Sequence, residues 1–189
     1  MRFARVCPNN NHWSQPDDGN KGGIGTTFPG TCGFGFEEWL GRTGWIWNGP
    51  GFDWMSTGTD YHCGFIQAFR RQPEQAIHDV ELFIINANSN RVAVGHINQC
   101  RRLTAAEIAA VFQVYNANGW IAIMQQELSA ANQQAIQHHQ AQPYPHQLAN
   151  LGHAPHEIFN ACFRISDLHY ANNPVPRRYQ YSRYGILYH

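Results

Sequence analysis

Lysine is nearly missing from this chain: Lys21 stands alone among 13 basic residues, and the rest are arginine. Charged side chains of all kinds make up only 14 % of the 189 residues and cancel to a formal net charge of zero. Such a surface does not grip nucleic acid through a broad basic sheath that releases counterions. Any phosphate contact has to be local. The pairs Arg70 and Arg71, Arg101 and Arg102, and Arg177 and Arg178 are the candidates, since a guanidinium clamps phosphate with two hydrogen bonds and also stacks on rings. Ordinary surface charge is the plainer account of any one pair.

Long apolar runs are also lacking. No stretch approaches bilayer length, and no basic segment followed by an apolar one opens the chain, so neither a membrane partner nor a secretory leader is expected. The five cysteines are odd in number and scattered, with no CxxC spacing, which suits reduced thiols in the cytoplasm. Eleven histidines are many. Yet His138, His139, His153 and His156 sit in Gln- and Pro-rich surroundings without a third ligand at fixed spacing, so solvated loop histidines are expected, with no metal or other cofactor.

What the chain has in abundance is aromatic rings in one place. Four of its six tryptophans, Trp39, Trp45, Trp47 and Trp54, follow the run Cys32-Gly33-Phe34-Gly35-Phe36-Glu37-Glu38. Cores are usually built from Leu, Ile and Val, which carry no polar atoms to satisfy. Indoles on Gly-punctuated backbone beside two acids suit a cage that stacks on a flat ligand and reads its edge. Gly33 and Gly35 allow close approach of backbone to a ligand. A carboxylate from Glu37 or Glu38 can accept hydrogen bonds from an amino group of a base, or act as a general acid or base with a raised pKa. The alternatives are an aromatic mini-core with locally satisfied indole N–H groups, and a helix start with its acids at the favourable end of the dipole. Trp45-Ile46-Trp47 as a strand puts two indoles on one face.

The remaining chain predicts one α+β domain over residues 1–189. Residues 2–7 alternate as a strand, and residues 14–31 form a long polar loop. Residues 61–67 alternate as another strand, on which His62 and Cys63 face opposite ways. Residues 79–86 and 91–97 make a hairpin around a turn at 87–90, with Gly95 marking a bulge or close approach. Thr104-Ala105-Ala106-Glu107 is a capping box opening a helix through Ile108, Val111, Phe112 and Tyr115, which Asn118-Gly119 ends. A second helix follows from Trp120 to Gln137. Residues 140–156 are a loop insertion, and strands are expected over 158–165 and 183–188. Strands from both ends with a two-helix insertion imply a curled mixed sheet tending to a small barrel.

Several of these pieces resemble a bacterial domain often joined to HNH-type nucleases. They are Phe3-Ala4-Arg5-Val6-Cys7 with Asn9, Asn10 and Trp13, the run from Gly33 to Leu40, Tyr61-His62-Cys63-Gly64-Phe65, Val94-Gly95-His96-Ile97, Asn118-Gly119-Trp120 and Phe159-Asn160-Ala161-Cys162-Phe163-Arg164. The hairpin ending Val-Gly-x-Ile ahead of helices resembles the PUA-like superfamily, which includes the EVE, ASCH, YTH and SRA readers. The resemblance implies a small curled pseudo-barrel that accepts a modified or flipped base in an aromatic cage. Trp13, Trp39, Trp45, Trp47, Glu37 and Glu38 would build that cage, and Asn10 would offer the base edge a donor and an acceptor. It implies a binding module rather than an enzyme, in bacterial defence or restriction, with DNA ahead of RNA as partner and a separate nuclease or protein as companion. Phe36 stands where that family carries His, and no HNH segment or P-loop motif occurs among these residues. Two other classes stay open. One is a protein-interaction module of a phage-defence or antidefence system. The other is a small nucleotide hydrolase using Glu37 or Glu38 with His62 or Cys63.

Overall fold

The computed structural model describes residues 1–17, 28–47, 61–86, 88, 90–138 and 154–176. Trp54, Arg177, Arg178, the strand expected at 183–188 and most of the two expected loops lie outside them. Among the described residues the strands are β1 (Arg2–Arg5), β2 (Tyr61–Gly64), β3 (Ile77–Ile85), β4 (Arg91–Arg102), β5 (Ala161–Arg164) and β6 (Leu168–Pro176). The helices are α1 (Phe28–Cys32), α2 (Ala105–Ala117), α3 (Trp120–Gln137) and α4 (Pro155–Ile158).

The hairpin of β3 and β4 is the axis of the sheet. Its turn is closed by Asn86, whose Oδ1 accepts from the amides of Asn88 at 3.1 Å and Asn90 at 2.9 Å, the local bonding for which Asn is favoured in turns. β1 lies parallel to β3 on the outside. The other edge of β4 is shared: β5 pairs with Arg101 and Arg102, while β6 pairs with Val92 to Ile97. A 3-10 turn, Ile165–Asp167, carries the chain from one to the other. β4 carries a bulge against β3 between Ile97 and Cys100, where Gln99 has φ 47° and its amide donates to Asp79 Oδ1 at 3.2 Å. β2 pairs antiparallel with β5, giving the order β1-β3-β4-β5-β2 with β6 beside β4. The two ends of this path do not pair with each other among the described residues, so the mixed sheet is open and not a closed barrel.

α2 and α3 are inserted between β4 and β5, as the sequence predicts. Thr104 Oγ1 accepts from the Glu107 amide at 3.2 Å and the Glu107 carboxylate returns to the Thr104 amide at 2.7 Å. Gly119, at φ 74°, turns the chain directly into α3. Other expectations are corrected. The chain at 28–32 is helix and not loop, and Trp45-Ile46-Trp47 is not a strand, since only Trp47 bridges to Tyr61. The strand expected over 158–165 begins at Ala161, because Pro155 supplies the first residue of a short helix, where a missing N–H costs nothing. β6, rich in Asn and Pro, was not expected as a strand; it forms because β4 offers it a free edge. No helix among the described residues is long and apolar enough to cross a membrane.

Two packed clusters lie on either side of β2 and β5. One joins Cys63 and Cys162, whose free thiols stand 3.1 Å apart, to Ile108, Val111, Tyr115, Met124 and Leu128 of the helices. The other joins Phe163 to Val80, Leu82, Ile97, Ile66 and Trp13. Asn160 holds the seam between them. Its Oδ1 accepts from the Ile66 amide at 2.8 Å and its Nδ2 donates to the Ile66 carbonyl at 3.0 Å, so one side chain imitates a strand pairing. Asn160→Ala leaves both Ile66 groups buried without these partners and is expected to cost about 2–4 kcal/mol; urea unfolding of the two proteins measures it.

Candidate functional site

The aromatic segment is built on Glu38. A 3-10 turn, Phe36–Trp39, starts at Gly35, and the Glu38 carboxylate reaches back to the Gly35 amide at 2.8 Å. The same carboxylate accepts from Asn9 Nδ2 at 2.8 Å and from the Asp17 amide at 3.2 Å. Asn9 is itself a hub, since its Oδ1 accepts from the amides of Asn11 at 2.9 Å and Trp13 at 2.7 Å. Glu38 is fully buried and its hydrogen-bonding capacity goes to holding the N-terminal loop against the turn. Asn10 contributes through its backbone, whose N–H donates to Asp17 Oδ2 at 3.1 Å, and its side chain is exposed. Trp13 is buried with its indole N–H on the Cys7 carbonyl at 2.9 Å.

The indoles close on one another and on α3. Trp39 Nε1 donates to Glu127 Oε2 at 2.7 Å, and Arg42 Nη1 meets Glu127 Oε1 at 2.8 Å. The Arg42 guanidinium then lies 4.6 Å over the Trp45 ring, against which Trp120 stacks at 5.8 Å with an interplanar angle of 13°. Tyr115 meets Trp45 edge-on. Trp39, Trp45 and Trp47 are 2 %, 5 % and 4 % exposed and belong to the helix-side cluster. Trp39, Trp45 and Trp47 thus pack as a core that docks α2 and α3 on the sheet, and the Trp39 indole N–H is met by Glu127 on α3 and not locally as expected.

Arg101 is likewise a buried residue: its Nη1 is paired with Glu107 Oε1 at 2.6 Å. Arg102 Nη1 donates to the Leu103 carbonyl at 2.6 Å. Arg70 is exposed, 5.7 Å over the Phe65 ring and 3.5 Å from Glu157. Arg71 falls in the 3-10 turn Gln67–Arg71.

Glu37 differs from its neighbour. It is buried, and burial pushes its carboxyl up to about 7, aided by the charge of Glu38 and opposed by its own amide, by Arg5 and by the Gln67 amide. A Cβ added at Gly35 would fall 2.8 Å from Glu37 Oε2 and 3.0 Å from Cys7 Sγ, so glycine there leaves the carboxyl its room. Phe36 precedes Glu37 in the turn. It is half-buried and meets Phe34 at 5.7 Å, Phe65 at 6.0 Å and Trp39 at 6.5 Å. Phe34 packs edge-on against Phe36, and Gly35 leaves space beside the Glu37 carboxyl. Arg5, Cys7, Phe65 and Gln67 are neighbours that no local pattern singles out.

His62 faces elsewhere. Its Nδ1 lies 3.2 Å from the Trp45 carbonyl, which can only accept, so the proton sits on Nδ1. Nε2 is buried and meets no hydrogen-bond partner of good geometry among the described residues, although the Trp39 backbone lies close to the ring. Burial pulls this imidazole down to about 4, against the Trp45 and Trp39 backbones. Cys63, on the opposite face of β2, has its thiol pushed up by burial and by Cys162. Glu38 with its amides, His62 with a carbonyl and Cys63 with a thiol therefore belong to three different networks. No group of three or more His, Cys, Asp or Glu among the described residues is arranged to hold a metal. No protein-family model, curated protein or solved structure matches this chain.

Glu37 and His62 pull stability in opposite directions. A glutamate in the unfolded chain ionises near 4.5, whereas the folded protein keeps this proton to about 7. The contribution of Glu37 is therefore fullest below pH 4.5 and is lost as pH rises through 7, a cost of about 3 kcal/mol once ionised. His62, lowered from 6.5 to about 4, is most favourable above pH 6.5 and loses stability as pH falls towards 4. Glu37→Gln removes the first effect alone. It is expected to unfold at higher urea than the parent at pH 8, by about 1–3 kcal/mol, and to match it at pH 4.5.

Proposed function

We propose that this chain is a binding module that takes a nucleobase, flipped from nucleic acid, against Phe36 and the Glu37 carboxyl. The observation that carries the reading is the buried Glu37 carboxyl, for which Gly35 leaves room and which burial pushes up to about 7. Around that pH a carboxyl is present both as an acid and as a carboxylate. The acid offers one O–H donor beside one carbonyl acceptor. That pair complements an edge with a ring nitrogen next to an amino group, such as the Watson–Crick edge of cytosine or the edge of adenine. The carboxylate offers only acceptors, so the two forms favour different edges.

Phe36 supports the same reading as the ring still partly open to solvent, and stacking a base on such a face contributes about 1–3 kcal/mol. It occupies the place of a histidine in the resembling family, so a polar contact there is replaced by a flat apolar one. Arg5 and Arg70 are the cations on this side of the turn, near Glu37 and over Phe65 respectively, and are suited to a flanking phosphate. A mixed sheet with two helices inserted between β4 and β5 is in keeping with a PUA-like reader. A modified base, already poorly stacked, costs less to extrude, which would give selectivity. The partner in this reading is DNA before RNA.

The test is a fluorescence titration of short oligonucleotides, modified and unmodified, at low salt. Binding is expected to weaken at least about tenfold with Phe36→Ala, the lost stacking contact, and with Glu37→Gln, while Glu37→Gln stays folded. Absence of binding to every oligonucleotide, or binding indifferent to both substitutions, refutes the reading.

A further inference from the structure

A second site stands on the outer face where β4 meets β6. His96 and His169 lie directly opposite each other in the antiparallel register, and both are exposed. Their rings stack with centroids 4.6 Å apart and an interplanar angle of 26°. The next residues on each strand, Ile97 and Leu168, face inward to the core cluster, which fixes the two imidazoles outward. Gly95 draws the strands together at this point. A Cβ there would fall 2.5 Å from the His169 carbonyl oxygen, so only glycine permits the approach, and the register shifts just before it. Bulges of this kind re-aim side chains and recur beside functional positions.

We propose that His96 and His169 together bind a late first-row divalent metal ion, Cu²⁺ most tightly. Imidazole nitrogens bind such ions at about 2.0–2.1 Å. Two rings on facing cross-strand positions, with Cβ atoms about 4.5–5.5 Å apart, bring one nitrogen each to a shared ion after rotation about the Cα–Cβ bonds. Neutral imidazole suits copper, nickel and zinc, and the usual order of affinities puts Cu²⁺ first. Glu81, on β3, stands directly opposite His96 in the same transverse row and adds negative charge on that side. With only two protein ligands, the other coordination positions stay open to water or to a donor atom of another molecule. The site shares no residue with the Glu37 region and stands or falls separately.

The experiment titrates Cu²⁺, and Zn²⁺ in parallel, into the full chain by calorimetry, with electron paramagnetic resonance of the Cu²⁺ form. Because the chain holds eleven histidines, each variant is read against the parent. His96→Asn and His169→Asn are each expected to weaken the tightest Cu²⁺ binding at least about tenfold, because the second imidazole acts as an intramolecular ligand. His156→Asn, an exposed residue of α4, is expected to change nothing. The parent spectrum should show two coupled nitrogens, and each of the two variants fewer. Equal affinity in the parent and in both single variants, or a parent spectrum that survives both substitutions, overturns the proposal. Thermal unfolding without metal confirms that these exposed substitutions leave the fold intact.

Discussion

Glu38 is the constraint on which the rest of the region depends. One buried carboxylate gathers the Gly35 amide, the Asn9 side chain and the Asp17 amide, and so ties the N-terminal loop to the start of the aromatic segment. A buried charge is tolerated only when its lone pairs are met in this way. Once Glu38 is committed, the adjacent residue must leave the turn in another direction. Glu37 is thereby carried towards Arg5, Cys7 and Gln67, where burial dominates its chemistry. Two neighbouring glutamates thus acquire unlike roles from environment alone: one is consumed by structure and the other keeps a titratable carboxyl.

Keeping a carboxyl there works against stability above neutral pH, and an amide of the same shape would avoid the loss. Structures hold such unfavourable groups where another demand outweighs stability, which is why perturbed acids gather at binding and catalytic positions. His62 is a comparable case with a different outcome. Its buried Nε2 lies toward Gly64, its other nitrogen is turned to the Trp45 carbonyl and its ring packs on Phe163, so it serves the seam between the two clusters.

Local signals were legible, and distant ones were not. The Thr104–Glu107 capping box, the period of α3 and the Asn-rich hairpin turn each carry their explanation within a few residues, and each element stands where the pattern places it. Trp39, Trp45 and Trp47 could not be assigned in that way. Rings on Gly-rich backbone read alike for a cage and for a core, and what decides between them is Glu127, Tyr115 and Trp120, far along the chain on the helices. Arg101 misleads for the same reason, since the carboxylate that buries it belongs to the cap of α2. Asn10 was singled out for its amide, yet its neighbour Asn9 carries the network, because only the folded loop shows which of the two faces Glu38. β6 was illegible because nothing within Leu168–Pro176 demands a strand; its reason is the open edge of β4.

The central claim is that the Glu37 carboxyl stays protonated far above the ordinary glutamate range. Infrared difference spectroscopy of the full chain across pH 4 to 9, compared with Glu37→Gln, reads that proton directly. The account predicts a protonated-carboxyl band that titrates at about 7 and is missing from the variant. A chain in which every carboxyl has ionised by pH 5.5, with parent and variant indistinguishable above it, would contradict the account.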